Sequence, residues 1–227
     1  MILLGLIGFI IGLTIPAISS RFGKILPADP GVILLSLWHK PHFPKIHDVI
    51  RVRRLHKKWM KLFYFSIGWG IIISGLFIIS KLVLPESLLP WAYLFHVIIA
   101  FCIVIDSQYC LLPDFFTIPL LFLGFGMAAF TNNITPVDSV AGSCFGYLLA
   151  TISVVVLGLF KRAEFGAGDV KMMTAVGAWL GAIGLNVSLF LSFFIFALYT
   201  ALSRQNAGPY GPALGIAAII ILMFIFI

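Results

Sequence analysis

Only eight acids occur in this chain, Asp29, Asp48, Glu86, Asp106, Asp114, Asp138, Glu164 and Asp169, and of these Asp106 and Asp169 directly abut long apolar runs. Burying an ionised carboxylate in hydrocarbon is costly, so an acid at such a boundary is a functional candidate. Two carboxylates brought together cannot both ionise easily. One keeps a proton while the other polarises water, the arrangement that hydrolyses peptides in aspartic proteolysis. Asp169 follows Gly166-Ala167-Gly168 and precedes an apolar run, which is also ordinary N-cap chemistry. A helix N-terminus favours an anion, whereas Asp106 ends its run and meets the opposite sign. Asp169 is therefore expected as the ionised member and Asp106 as the protonated one. No Ser/His/Asp constellation competes, and His96, alone within a span, reads as a packed or snorkelling residue.

The elements that must position these acids are membrane spans. With 61% hydrophobic residues, 10% charged and a mean hydropathy of +1.12, the chain is excluded from soluble globular classes, whose charged share is about a quarter. The expected fold is all-α and polytopic, with about eight transmembrane helices and one larger cytoplasmic loop. Residues 1–18 form the first span, 19–61 the basic loop and 62–227 the membrane core. No positive charge precedes Arg21, so residues 1–18 read as a retained span with its N-terminus outside, not a cleaved signal peptide. Gly5, Gly8 and Gly12 would let another helix approach it closely. Further apolar runs cover 62–83, 88–105, 115–131, 137–160, 170–184, 186–203 and 211–227, the 170–184 run being short and partly re-entrant.

Charge tests that count. Ten of the fifteen lysines and arginines lie in 19–61, where Arg51 to Lys61 reads as a basic helix on the headgroups. If that loop is cytoplasmic, alternation puts fourteen of the fifteen inside, with Lys81 alone outside. Asp106 and Asp169 then share the cytoplasmic face. The net charge of +7 accordingly reads as contact with anionic membrane lipids, not nucleic acid. Cys102, Cys110 and Cys144 have no Cys-x-x-Cys spacing and read as packing residues.

The segment Asp106-Ser107-Gln108-Tyr109-Cys110-Leu111-Leu112-Pro113-Asp114, followed by Gly166-Ala167-Gly168-Asp169-Val170-Lys171 and Gly177-Ala178-Trp179-Leu180-Gly181, resembles the type IV prepilin peptidases, the GxGD class of membrane aspartyl proteases. Gly208-Pro209-Tyr210-Gly211-Pro212 resembles the family's Gly-Pro turn entering its last span. The resemblance spans roughly residues 90–225. It implies Asp106 and Asp169 as the catalytic pair of an endopeptidase in the bacterial inner membrane. The implied substrates are type IV prepilins or type II secretion pseudopilins, cut after a glycine where a short basic leader meets an apolar helix. Pro113 and Asp114 are expected to cap the next span or contact substrate, and Gly166 and Gly168 to permit a tight bend. Lys171 is expected as an anchor or a partner for an acid, and Glu164 as a contact for the basic leader. Many family members carry two Cys-x-x-Cys pairs in the first loop, thought to bind zinc, and methylate the new N-terminus with S-adenosylmethionine. This loop has no cysteine, and the spacing of His39, His42, His47 and His56 is not a ligand pattern. No metal is expected, the peptidase needs no cofactor, and S-adenosylmethionine-dependent methylation is unsupported. A proton-coupled transporter or channel using the two acids as a relay, or an inactive scaffold, is the rival reading. A relay calls for deeper acids and repeated halves, which this sequence does not show.

Overall fold

The computed structural model describes residues 1–22, 49–131, 133–159, 166–203 and 208–225. These form seven helices: α1 (Ile2–Phe22), α2 (Val49–Val83), α3 (Leu89–Tyr109), α4 (Asp114–Phe130), α5 (Pro136–Leu159), α6 (Ala167–Ser203) and α7 (Gly211–Ile225). Five are long and apolar enough to cross a membrane, while α4 and α7 are shorter apolar helices. The all-helical, polytopic membrane architecture is as expected from composition.

Two compact units are formed, Met1–Ile79 and Ser80–Ile227. In the first, α1 lies against α2 where its glycines allow. A methyl group at Gly8 would sit 3.0 Å from the Ser74 Cα, and one at Gly12 would collide with the Trp69 carbonyl. Helix α2 begins at Val49, so the basic stretch from Arg51 to Lys61 is continuous with the following span. It is not the separate surface helix expected. Residues 23–48 of the basic loop, with His39, His42 and His47, lie outside the described residues, as do the side chain of His56 and all of Glu164.

The second unit holds the core. Trp179 is wholly buried, donates its indole N–H to the Leu120 carbonyl at 2.7 Å and packs its ring 4.8 Å from Phe95. That bond satisfies the one polar atom of a large apolar side chain, which makes it suitable for a core. His96 is packed rather than snorkelling, wholly buried beside Phe95 with both ring nitrogens unpaired among the described residues. Of the cysteines only Cys102 is buried; Cys110 and Cys144 are exposed, which corrects their reading as packing residues.

Helix α6 merges the runs expected at 170–184 and 186–203, and it is broken at Gly181, with φ 67° and ψ 179°. That backbone region is essentially reserved for glycine. The break reverses the chain. A methyl group at Gly146 on α5 would lie 2.7 Å from the Met173 carbonyl and 2.9 Å from a Leu185 methyl. In a straight helix those two residues would stand about 18 Å apart along the axis. Residues 167–180 and 182–203 are thus two limbs of a hairpin, and the division expected near 185 falls instead at Gly181. The first limb packs on α5 backbone to backbone, because a side chain at Gly142 or Gly177 would overlap the other glycine's carbonyl. Such small-residue contact replaces the hydrophobic driving force that helices lack in lipid.

Candidate active site

Three chain segments meet at one end of the second unit: the α3–α4 turn, the start of α6 and the start of α7. Helix α3 runs past the expected end at 105 to Tyr109, so Asp106 sits in its last turn and not beyond it. Cys110 ends the helix in the left-handed conformation, φ 51°, with its amide on the Asp106 carbonyl at 2.8 Å. The Asp106 side chain points inward and the residue is only 4% exposed.

A buried carboxylate needs donors, and one comes from far along the chain. The Gly211 amide donates to Asp106 Oδ2 at 3.0 Å. Gly211 opens α7, so Asp106 faces the positive end of a second helix as well as the negative end of its own. With helix ends of both signs beside Asp106, polarity alone does not fix which acid is protonated. A methyl group at Gly211 would lie 2.6 Å from Asp106 Oδ2 and 3.0 Å from its Cγ. Only glycine lets α7 start this close to the acid.

Asp169 is partly buried in the first turn of α6 and lies close enough to Asp106 for its charge to act on that carboxyl. It is the third helical residue and not the cap; the cap is Gly166, whose carbonyl accepts the Asp169 amide at 3.0 Å. The Asp169 carboxylate lies toward the Gly166 backbone, the N3-to-N-cap half of a capping box, the other half being closed to a glycine cap that has no side chain. Gly166 and Gly168 were expected to permit a tight bend, but neither has positive φ. Gly168 serves close approach instead, since a methyl there would lie 2.8 Å from the Leu112 Cβ. That contact brings the α3–α4 turn against the start of α6.

The remaining expected site residues divide. Pro113 caps α4 through its carbonyl, which accepts the Phe116 amide at 3.0 Å. Asp114 makes no side-chain cap; it is the first residue of α4, and its carboxylate takes the Lys171 ammonium at 2.5 Å. Lys171 is thus a partner for Asp114 and not a lone anchor. Among the described residues no group of three His, Cys, Asp or Glu side chains converges as a metal site.

The sequence reading missed Tyr210, Ser192 and Gly211. The Gly-Pro signal marked a turn without saying which acid it would meet. The Tyr210 and Ser192 hydroxyls are 2.5 Å apart, and Ser192 already donates to the Leu189 carbonyl at 2.8 Å, so Tyr210 is the donor between them. Burial pushes the Tyr210 phenol up, with Ser192 opposing and the nearby Asp169 charge adding to the rise. The turn before α7 is therefore tied to the second limb of α6 by Tyr210 and to α3 by Gly211.

Residues 92–201 match the type IV leader peptidase family. The leader peptidase HopD of Escherichia coli is 31% identical over 147 residues, which cover 94% of that protein and 60% of this chain. This chain belongs to the type IV leader peptidase family. The prepilin leader peptidase/N-methyltransferase of Dichelobacter nodosus is 33% identical over 170 residues, 66% of this chain and 58% of that protein. A type 4 prepilin-like proteins leader peptide-processing enzyme of Escherichia coli O78:H11 is 34% identical over 151 residues, 63% of this chain and 55% of that protein. The chain thus spans little over half the length of these last two relatives. No solved structure matches. The family match takes in both aspartates and both limbs of α6, and it stops short of the Tyr210–Gly211 turn that holds Asp106.

Proposed function

We propose that this protein is an aspartic-type endopeptidase of the bacterial inner membrane that removes the short basic leader of type IV prepilins or type II secretion pseudopilins, cutting after a glycine at the cytoplasmic face. The observation that carries this reading is a buried Asp106, held by the Gly211 amide, within electrostatic range of Asp169. In it, Asp106 and Asp169 are the catalytic pair and share one proton. The ionised carboxylate takes a proton from water as the oxygen attacks the glycine carbonyl carbon, and the protonated partner stabilises the oxygen that gains charge. The carbon–nitrogen bond then breaks, and the leaving amine takes up a proton from the pair. One water is consumed, and the two carboxyl groups return to a single shared proton.

Hydrophobic spans and the charge asymmetry of the loops support the cytoplasmic orientation, in which a basic leader arrives from the inside. Relatives carry N-methyltransferase in their names, but the donor set for loop zinc is missing here, since Cys102, Cys110 and Cys144 all lie outside residues 19–61. Our reading is therefore hydrolysis that needs no metal, with N-methylation by S-adenosylmethionine left unassigned. Incubation of the purified full-length protein with a prepilin peptide tests it by mass spectrometry. The expected product ends at the glycine and disappears in both Asp106→Ala and Asp169→Ala; cleavage that survives either change would overturn the assignment.

A further inference from the structure

The start of α7 must be held still if its amide is to hold Asp106, and the turn before it has few backbone means of doing so. From Pro209 to Pro212 only Tyr210 and Gly211 carry an N–H, and that of Gly211 is taken by Asp106 Oδ2 at 3.0 Å. We propose that Ser192 and Tyr210 are positioning residues for Asp106: their hydroxyl pair fixes the Tyr210–Gly211 peptide so that its N–H stays aimed at the carboxylate. The inference rests on the reading of Asp106 as a catalytic acid and deepens it by naming two residues that act through that acid.

The donating N–H belongs to the peptide bond that joins Tyr210 to Gly211. A peptide unit is planar, so the Tyr210 Cα and carbonyl move with that N–H as one rigid group. The carbonyl accepts the Leu214 amide at 3.1 Å, the bond that opens α7. This sets the peptide relative to its own helix but leaves the helix to be set relative to the acid. The side chain supplies that second constraint. The Tyr210 phenol donates to Ser192 at 2.5 Å, on the second limb of α6. Ser192 is wholly buried and its own hydroxyl is committed to the Leu189 carbonyl at 2.8 Å, which makes it a fixed acceptor and not a free rotor. Phe196 sets its ring edge-on to that of Tyr210 at 5.7 Å, and a methyl group at Gly208 would lie 3.2 Å from the Tyr199 ring. Ser192, Phe196 and Tyr199 follow at spacings of four and three, so one face of the limb supports the turn. The ring contacts are apolar and poorly directional, whereas a hydrogen bond fixes both distance and angle. Any shift of Tyr210 along that face is passed through a single peptide plane to the Gly211 N–H.

The test uses the purified full chain and one prepilin peptide, with kcat and KM measured separately. Tyr210→Phe and Ser192→Ala each break the hydroxyl pair and keep the ring contact with Phe196. Each should lower kcat about tenfold with KM within about twofold of native, the pattern of disturbed geometry and not of lost substrate binding. The double variant should be no slower than either single one, because the same bond cannot be lost twice. Adding Tyr210→Phe to Gly211→Ala should cost less than about twofold more, since the route to Asp106 is already interrupted. A pair that merely braced the fold would lower activity alike in both backgrounds, and the losses would multiply. Native kcat in both single variants, or losses that multiply with that of Gly211→Ala, would overturn the positioning role and leave the peptidase standing. A native protein that cuts no prepilin peptide would overturn the peptidase reading itself, and this role with it.

Discussion

Asp106 and Asp114 stand eight positions apart in one motif, at the same end of the same unit, and live in opposite environments. Asp106 is buried, receives a backbone amide from the start of α7 and senses a second carboxylate. Asp114 has a side chain 56% exposed and is paired with Lys171, itself 45% exposed. Among the described residues no cation pairs with the first acid, the condition under which the proposed carboxylate pair remains free to trade a proton. The second is neutralised by a lysine in water, an arrangement worth little energetically and of little use for proton transfer. Adjacent acids of one sequence motif can therefore have unrelated roles, and what separates them is which distant backbone arrives beside each.

Replacing either member of the proposed pair should have the largest effect. Asp106→Asn and Asp169→Asn should each lower the rate of prepilin peptide cleavage by at least about a thousandfold. The helical content by circular dichroism should stay unchanged. Gly211→Ala comes next, because the added methyl would sit 2.6 Å from Asp106 Oδ2 and must displace the acid or α7. Misplacement on the scale of an ångström costs about a hundredfold, so kcat should fall to that degree while both aspartates remain. A Gly211→Ala protein with native kcat would show that the amide contact does not position the acid.

On the other side of the comparison, Asp114→Asn and Lys171→Met should each change kcat/KM by less than about fivefold, as suits an exposed ion pair. A loss as large as that of Asp106→Asn would erase the distinction between the two acids. The smallest effect belongs to Glu86→Gln. Glu86 pairs with Lys81 at 2.7 Å, and that bond and charge hold its carboxyl below the usual range, yet its side chain is largely exposed and it precedes α3, at the opposite end of that helix from Asp106. Cleavage should be indistinguishable from native between pH 6 and 8, a range in which Glu86 stays ionised with or without its partner and so contributes no titration of its own.

Most of the helical segments were legible because an apolar run long enough to cross lipid has few other uses. Residues 88–105 and 137–160 became α3 and α5 with shifts of only a few residues at their ends. The ends themselves were less legible. Asp106 terminates the hydropathy signal, but backbone hydrogen bonding carries α3 on to Tyr109, since a helix does not stop where its side chains turn polar. Gly181 was likewise one glycine among several in the sequence. Its reversal becomes evident only when Met173 and Leu185 are both found against Gly146.

Composition, span length and the order of the two acidic motifs were enough to establish a polytopic helical membrane protein and to single out Asp106 and Asp169, because hydrocarbon penalises stray charge wherever it occurs along a chain. Tertiary structure alone decided what each acid faces. The Gly211 amide on Asp106 and the Lys171 ammonium on Asp114 both join residues far apart in sequence. Hydrogen bonds and ion pairs act over a few ångströms of space, and no periodicity along the chain encodes which helix end will be brought within that reach.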